Sequence, residues 1–357
     1  MLVHKDPELK PRKTSSDWNL FPQSQETVRT RCNLRLRSAS NISVRTVALG
    51  LLLALAVAGQ QRGGSDYGWY QVFPECQHGA YGVLANYHVA KSVINQQLRD
   101  MYANGQRRLR IPIFHGRTLG GGTNLESKTG DLTPQDRENL RNLLAEIRRI
   151  GFAEIIVGFF PQGYNQPLSW TAFQPEFYEE NWTLIRNLRP LIVAAGIPYR
   201  IDLANETSPN PRQPIALEYC QRLWNQYATT YGTSDTVGFS IIADAGRLEV
   251  VSGVYGDSAF GNHGAPPALD LHFYKDPGAR FKSAVSILRD AGYRQPWIIG
   301  ESYYNDAGEA KALRKAIHAT HQNVLFLLQW PLPSDSACHD VSLAPPLAFD
   351  QYIKRGF

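Results

Sequence analysis

Two carboxylates stand where this chain is best placed to do chemistry. Glu206 ends "YRIDLANE" (199–206) and Glu301 ends the apolar part of "WIIGES" (297–302). A charged residue closing a buried run starts a loop, caps a helix or lines a site. Two such carboxyl groups suit acid–base and nucleophilic work, provided their surroundings keep one protonated and the other charged. Other run ends carry groups able to tune them. Arg110 lies in "RLRIPIFH" (108–115), and Asn205 sits beside Glu206. His272 and Tyr274 end "ALDLHFY" (268–274), and Gln329-Trp330 end "NVLFLLQW" (323–330). Singly, each has a plain structural role as an ion-paired strand residue, a cap, a core histidine or a packing aromatic. Their shared position at run ends is what argues for a site.

The elements that must hold these groups repeat along the chain. To the runs above are added "AYGVLANYH" (80–88), "AEIIVGFF" (153–160) and "TVGFSIIAD" (236–244), which makes eight expected strands. Between them lie amphipathic segments, at 89–104, 176–195, 215–231, 278–291 and 306–320. "TPQDRENLRNLLAEIRRIG" is another, with Thr133 as cap, Pro134 in the first turn, Asp136 completing a capping-box-like pair and Gly151 as stop. Short apolar runs alternating with helices predict βαβ units and a parallel sheet. Eight of each predict a closed (β/α)8 TIM barrel over residues 66–357, with a doubly wound open sheet as the alternative. "FDQYIKRGF" reads as the eighth helix, closing against the first. In a barrel, chemistry gathers at the carboxyl ends of the strands, where all the residues above fall.

That set resembles the clan A glycoside hydrolases, retaining (β/α)8 enzymes that include the cellulase family 5. The family pattern has Arg on strand two, Asn-Glu ending strand four, His-x-Tyr on strand six, Glu on strand seven and Trp on strand eight. Arg110, Asn205-Glu206, His272-x-Tyr274, Glu301 and Trp330 match it in order. The resemblance implies Glu206 as acid/base and Glu301 as nucleophile, with O-glycosidic bonds of a poly- or oligosaccharide as substrate. It implies that Arg110 and Tyr274 hold Glu301 charged and that Asn205 meets the sugar 2-hydroxyl. Trp330 becomes the floor under the sugar ring and His272 an orienting group. It also implies a cis Trp330–Pro331 bond, since cis before proline costs only ~1 kcal/mol. Two positions depart from the pattern: Phe159-Phe160 stand where several members have a His, and Thr207 follows Asn-Glu where Pro is frequent.

The loops offer sugar platforms. "PQGYNQPLSWTAF" (161–173) carries Tyr164, Trp170 and Phe173, and Tyr303-Tyr304 follow strand seven. Trp170 and Tyr303 are accordingly taken as substrate-binding residues, since aromatic rings present an apolar face with a polar edge. "RTLGGGTN" (117–124) lacks the Gly-Lys-Ser/Thr ending of a phosphate loop. His88 and His115 have no paired ligand motif, so neither metal nor cofactor is expected. A lyase or aldolase barrel would want a strand-end Lys, a metal cluster or a phosphate site, and no run ends that way. A barrel that only binds sugar at the cell envelope would not need both glutamates, and transglycosylation would use the same ones.

Charge narrows the partners. Residues 1–45 carry nine Lys/Arg against four Asp/Glu, which accounts for the whole formal charge of +5. The remainder has no basic surplus, so nucleic acid is not an expected partner. Val47–Ala58 is an apolar run of 12 residues behind Arg45, with Ala56-Val57-Ala58 as small residues for cleavage. It reads as a signal-peptide core, or as an uncleaved anchor to the membrane, behind a basic leader. The expected product is a secreted or periplasmic monomer. Cys32 falls in the leader, and Cys76, Cys220 and Cys338 make an odd set with no metal or redox spacing.

Overall fold

The computed structural model describes residues 61–70, 81–118, 122–256, 258–332 and 346–357. The expected leader (1–45), the apolar run 47–58 and Cys32, Cys76 and Cys338 lie outside the described residues. Ala56–Phe357 make one compact unit. Among the described residues, no helix is long and apolar enough to cross a membrane.

Eight parallel strands form the centre. They are β1 (Gly64–Asp66), β2 (Arg108–Gly116), β3 (Glu154–Pro161) and β4 (Tyr199–Asp202). Then come β5, in two pieces (Thr236–Gly238 and Ile241–Ile242), β6 (Leu269–His272), β7 (Trp297–Glu301) and β8 (Val324–Gln329). Each pairs with the next, and β8 returns to β1 through Gly64↔Leu328 and Ser65↔Gln329. The first piece of β5 pairs with β4 and the second with β6, so the ring closes through the chain at Phe239-Ser240.

Two of the expected strands are corrected. Residues 80–88 are not the first strand. Tyr81–Gly82 close a small antiparallel hairpin with Trp69–Tyr70, and Val83 opens the helix α1 (Val83–Ala103). Val83, Leu84, Tyr87, Ala90, Ile94, Leu98 and Met101 are its buried apolar positions, at helical spacing that a short apolar window cannot distinguish from a strand. The actual first strand is "GSD", three residues with two polar ones, so no apolar run marks it. Both polar side chains are buried: Ser65 Oγ donates to Gln106 Oε1 at 2.7 Å, and Asp66 faces Arg110. The run 236–244 is broken after Gly238, whose φ of 69° turns the chain so that Ser240 points toward the β4 end.

The outer helices start and stop where their caps require. In α2 (Pro134–Ile150), Asp136 donates its backbone N–H to Thr133 Oγ1 at 3.1 Å, and Gly151 ends the helix at φ 102°. Helices α3 (Pro175–Ala194) and α4 (Pro214–Tyr231) follow β3 and β4, each with Pro in its first turn. Two short helices, α5 (Ala245–Glu249) and α6 (Val251–Tyr255), follow β5. Then come α7 (Pro277–Asp290), α8 (Ala307–Thr320) and the single turn α9 (Asp350–Ile353). Ile156, Val237, Ala268, Ile298, Phe326 and Leu328 form a small core of strand residues and Ala268, apart from the larger core that the strands share with the helices.

Candidate active site

Arg110 is the centre of the site. Its guanidinium is fully buried, with Nη1 2.7 Å from Glu301 Oε1 and Nη2 2.6 Å from Asn205 Oδ1. Nη2 also meets Asp202, and Nη1 lies 3.5 Å from Asp66 Oδ1. Burial opposes a charge here, but Asp66, Asp202, Glu301 and Asp270 outweigh it and hold the guanidinium protonated. Glu301 receives a second donor, the Tyr274 hydroxyl, at 2.7 Å. The hydroxyl is itself pushed well above its ordinary range, by burial first and then by Glu301, so it stays a donor.

Glu206 lies across from this pair. Its backbone is left-handed at φ 50°, uncommon for a residue with a long side chain. Its N–H donates to Ser240 Oγ at 2.9 Å, and Arg247 Nη1 donates to its carbonyl at 2.8 Å and to that of Ser208 at 2.7 Å. These bonds fix the turn and aim the carboxylate inward. An oxygen of Glu206, one of Glu301 and a ring nitrogen of His272 all lie within 4.8 Å of one another. Such a trio could hold a divalent cation, but here the positive charge beside it is the Arg110 guanidinium.

His272 joins the two carboxylates. Nδ1 is 2.8 Å from Glu206 Oε1 and 3.4 Å from Glu301 Oε2, and Nε2 is 3.3 Å from Arg110 Nη1. Burial disfavours a charged imidazole, yet Glu301 and Glu206 prevail and raise its pKa. Burial also raises the Glu301 carboxyl, against the opposing pull of His272 and Arg110. At Glu206 burial is outweighed by the bond and charge of His272, with Arg110 and Arg247 adding to them, so that carboxyl is held low.

The other residues singled out in the sequence fall at different distances. Trp330, half-buried, stacks on Phe160 with centroids 6.3 Å apart and meets Trp69 edge-on at 4.9 Å. Phe160 in turn lies 5.0 Å from the Arg110 guanidinium carbon. Tyr303 packs edge-on against Tyr274 at 5.1 Å. Trp170 is not brought into this cluster. It belongs to an aromatic group with Phe173, Phe177 and Tyr219, and its indole N–H donates to the Tyr164 carbonyl. The expected cis Trp330–Pro331 bond is also corrected, since every described peptide bond is trans. Leu332 N–H donates to the Trp330 carbonyl at 2.8 Å, closing a tight turn about Pro331 whose fixed φ suits it.

Four interior residues of the site were not picked out from the sequence: Asp66, Asp202, Ser240 and Asp270. Two carried a signal. Asp270 precedes His272 by two on one strand, so both face the same side. Asp202 interrupts an apolar run in the same way. Asp66 and Ser240 lie where no apolar run marks a strand.

No family model matches the sequence, and neither does any curated protein. Solved structures match the fold with probability 1.00. A broad-specificity family 5 endoglucanase from Clostridium longisporum superposes with TM-score 0.53 at 8% identity, over 84% of this chain and 97% of that one. A family 5 lichenase from Caldicellulosiruptor sp. F32 gives 0.52 at 10%, over 92% and 99%. An endo-β-mannanase/endo-β-glucanase from Prevotella bryantii gives 0.50 at 14%, over 82% of this chain and 48% of that one. The chain therefore spans about half of that two-activity protein. At these identities the likeness is one of fold: this is a (β/α)8 barrel of the kind built by the family 5 glycoside hydrolases of clan A.

The turn at Glu206 makes a direct prediction. Arg247→Ala removes two charge-assisted bonds to backbone carbonyls, each of the stronger class. Stability is expected to fall by about 1–3 kcal/mol in urea unfolding. If Glu206 takes part in turnover, the rate should fall further than folding, by roughly 10²-fold, since a small displacement of a reacting group is costly.

Proposed function

We propose that this chain is an exported retaining β-glycosidase that cleaves O-glycosidic bonds of a poly- or oligosaccharide by double displacement. The observation that carries the reading is the approach of Glu206 and Glu301 oxygens to within 4.8 Å. Retaining enzymes place their carboxyl groups ~5–5.5 Å apart, and inverting ones ~6.5–9.5 Å to admit a water. Glu301, with Arg110 and Tyr274 both donating to it, attacks the anomeric carbon and forms a glycosyl ester. Glu206 gives its proton to the leaving oxygen, then takes one from the water that releases the sugar. For the first step the proton passes from His272 Nδ1 to Glu206 along their 2.8 Å bond. Asn205 Oδ1 already accepts from Arg110 and Ser240, which leaves its amide nitrogen to meet the sugar 2-hydroxyl.

Trp330 floors the central subsite in this reading, and Tyr303 borders it. Trp170 serves a more distant platform. Together with Tyr164, which is 66% exposed, and Phe177, it lines a groove of about 590 Å³ with Thr118, Ser169 and Gln174 at its edge. Ring faces rimmed by hydroxyls and amides suit a sugar ring. Export rests on the apolar run behind the basic leader.

The test is a panel of aryl β-glucosides, β-cellobiosides and β-mannosides with mannan and mixed-linkage glucan, run with wild type, Glu206→Gln and Glu301→Gln. Glu206→Gln is expected to lose ~10²–10⁴-fold on phenyl glycosides. It should lose little on dinitrophenyl glycosides, whose leaving group needs no proton. Equal loss on both would remove Glu206 from the acid role.

A further inference from the structure

Asp270 sits beneath the site, beyond salt-bridge reach of the Arg110 guanidinium whose charge it helps to hold. It is fully buried on β6, and neither carboxylate oxygen has a side-chain donor; the donor beside it is the backbone of Gly300. A Cβ at Gly300 would lie 1.9 Å from Asp270 Oδ1, so the strand that carries Glu301 makes room for this carboxyl. A buried carboxyl so sparsely paired calls for a reason. His272 Nε2 lies 3.8 Å from Asp270 Oδ1. The opposite ring nitrogen, Nδ1, is 2.8 Å from Glu206 Oε1. The imidazole therefore lies between a sparsely paired carboxyl and the residue read here as the acid.

We propose that Asp270 gives its proton to His272 Nε2 as Glu206 takes the Nδ1 proton, and takes it back as Glu206 unloads, so that Glu206, His272 and Asp270 form a chain that loads and unloads the acid. The inference rests on the reading of Glu206 as acid/base. In the unloaded state Nδ1–H donates to the Glu206 carboxylate, the Nε2 lone pair faces Arg110 Nη1 at 3.3 Å, and Asp270 holds a proton. Loading breaks the Asp270 O–H bond as Nε2–H forms, and breaks Nδ1–H as the Glu206 O–H forms. One negative charge moves from Glu206 to Asp270, and nothing is oxidised or reduced. An imidazolium at His272 reaches the same end point by giving Nδ1–H to Glu206 and leaving Nε2–H toward Asp270. Burial raises the Asp270 carboxyl, with Arg110 and His272 opposing and Asp202 reinforcing, which suits it to hold the waiting proton. Asp66 and Glu301 complete the charged groups around Arg110 and His272.

Asp270→Asn tests this as a positioning role. Its amide can neither hold nor release the waiting proton, so Nε2 stays bare toward Arg110 and the ring stays the Nδ1–H form, which cannot accept from protonated Glu206. The measurement is kcat/KM against pH for phenyl and 2,4-dinitrophenyl β-cellobiosides and β-mannosides. The variant should lose about 10²-fold on the phenyl glycosides, with the acid limb displaced. It should keep the dinitrophenyl rate within a few-fold, which also shows that it folds. Equal loss on both leaving groups, with an unmoved pH profile, would overturn the chain and leave the glycosidase reading standing. No turnover of either glycoside by wild type would remove the reading beneath it. Nitrogen-15 histidine spectra of wild type give an answer that needs no variant. Nε2 should carry a proton on the acid side and lose it as Glu206 ionises, and a bare Nε2 throughout would overturn the proposal.

Discussion

Glu301→Gln is expected to lower kcat by roughly 10⁵–10⁶-fold on every β-glycoside that wild type turns over, including the dinitrophenyl ones. Removing a nucleophile leaves no first step for a good leaving group to bypass, and this separates Glu301 from Glu206. The substitution is close in shape, and the amide oxygen keeps an acceptor for Arg110 Nη1. Burial already disfavours a charge at this position. The variant should therefore unfold within about 1 kcal/mol of wild type, a small shift for a near-isosteric change. Turnover of dinitrophenyl glycosides at more than a few per cent of the wild-type rate would contradict the assignment.

The second large effect concerns stability. Arg110→Gln removes the one guanidinium that faces Asp66, Asp202 and Glu301 together. Breaking a buried charge network by taking out one partner costs ~3–5 kcal/mol, since uncompensated charge stays behind. The loss must depend on pH, and its sign follows from Asp66 and Asp270, both raised, by burial first. A carboxyl whose folded pKa lies above its unfolded one stabilises the fold below the unfolded value, about 4. That contribution is lost as pH rises through the folded value. Removing Arg110, which lowers both groups, widens this window. The deficit in urea unfolding should accordingly be small near pH 4 and grow toward neutrality. A deficit that is constant with pH would mean that the carboxylates do not depend on this arginine.

Much of the barrel was legible because its signals are local. Pro134 in the first turn and Gly151 at the end bounded α2, and the apolar runs marked β2, β3, β4, β6, β7 and β8. What was lost was lost for physical reasons. β1 has three residues and turns Ser65 and Asp66 into the interior, so hydrophobicity cannot find it. The stretch from Val83 is apolar enough for a strand, and only the longer spacing to Met101 shows a helix. Within the site, groups at strand ends were legible, since a polar residue after an apolar run stands out. Asp202 and Asp270 were passed over because they lie inside the apolar runs, where an acid reads as an interruption. The partner of Asp202 is Arg110, from another strand altogether, and no spacing along one chain announces it. Trp170, an aromatic of the loop after β3, packs with Phe173 and Tyr219, apart from the Glu206–Glu301 cluster.

The central claim is that Glu206 and Glu301 act by double displacement. Proton NMR of the reducing-end anomer, followed from the first minutes of cleavage of a β-linked oligosaccharide, tests it directly. The separation of the two carboxylates predicts that the β-anomer forms first and then mutarotates. First appearance of the α-anomer would require a water between the carboxylates and would contradict the account.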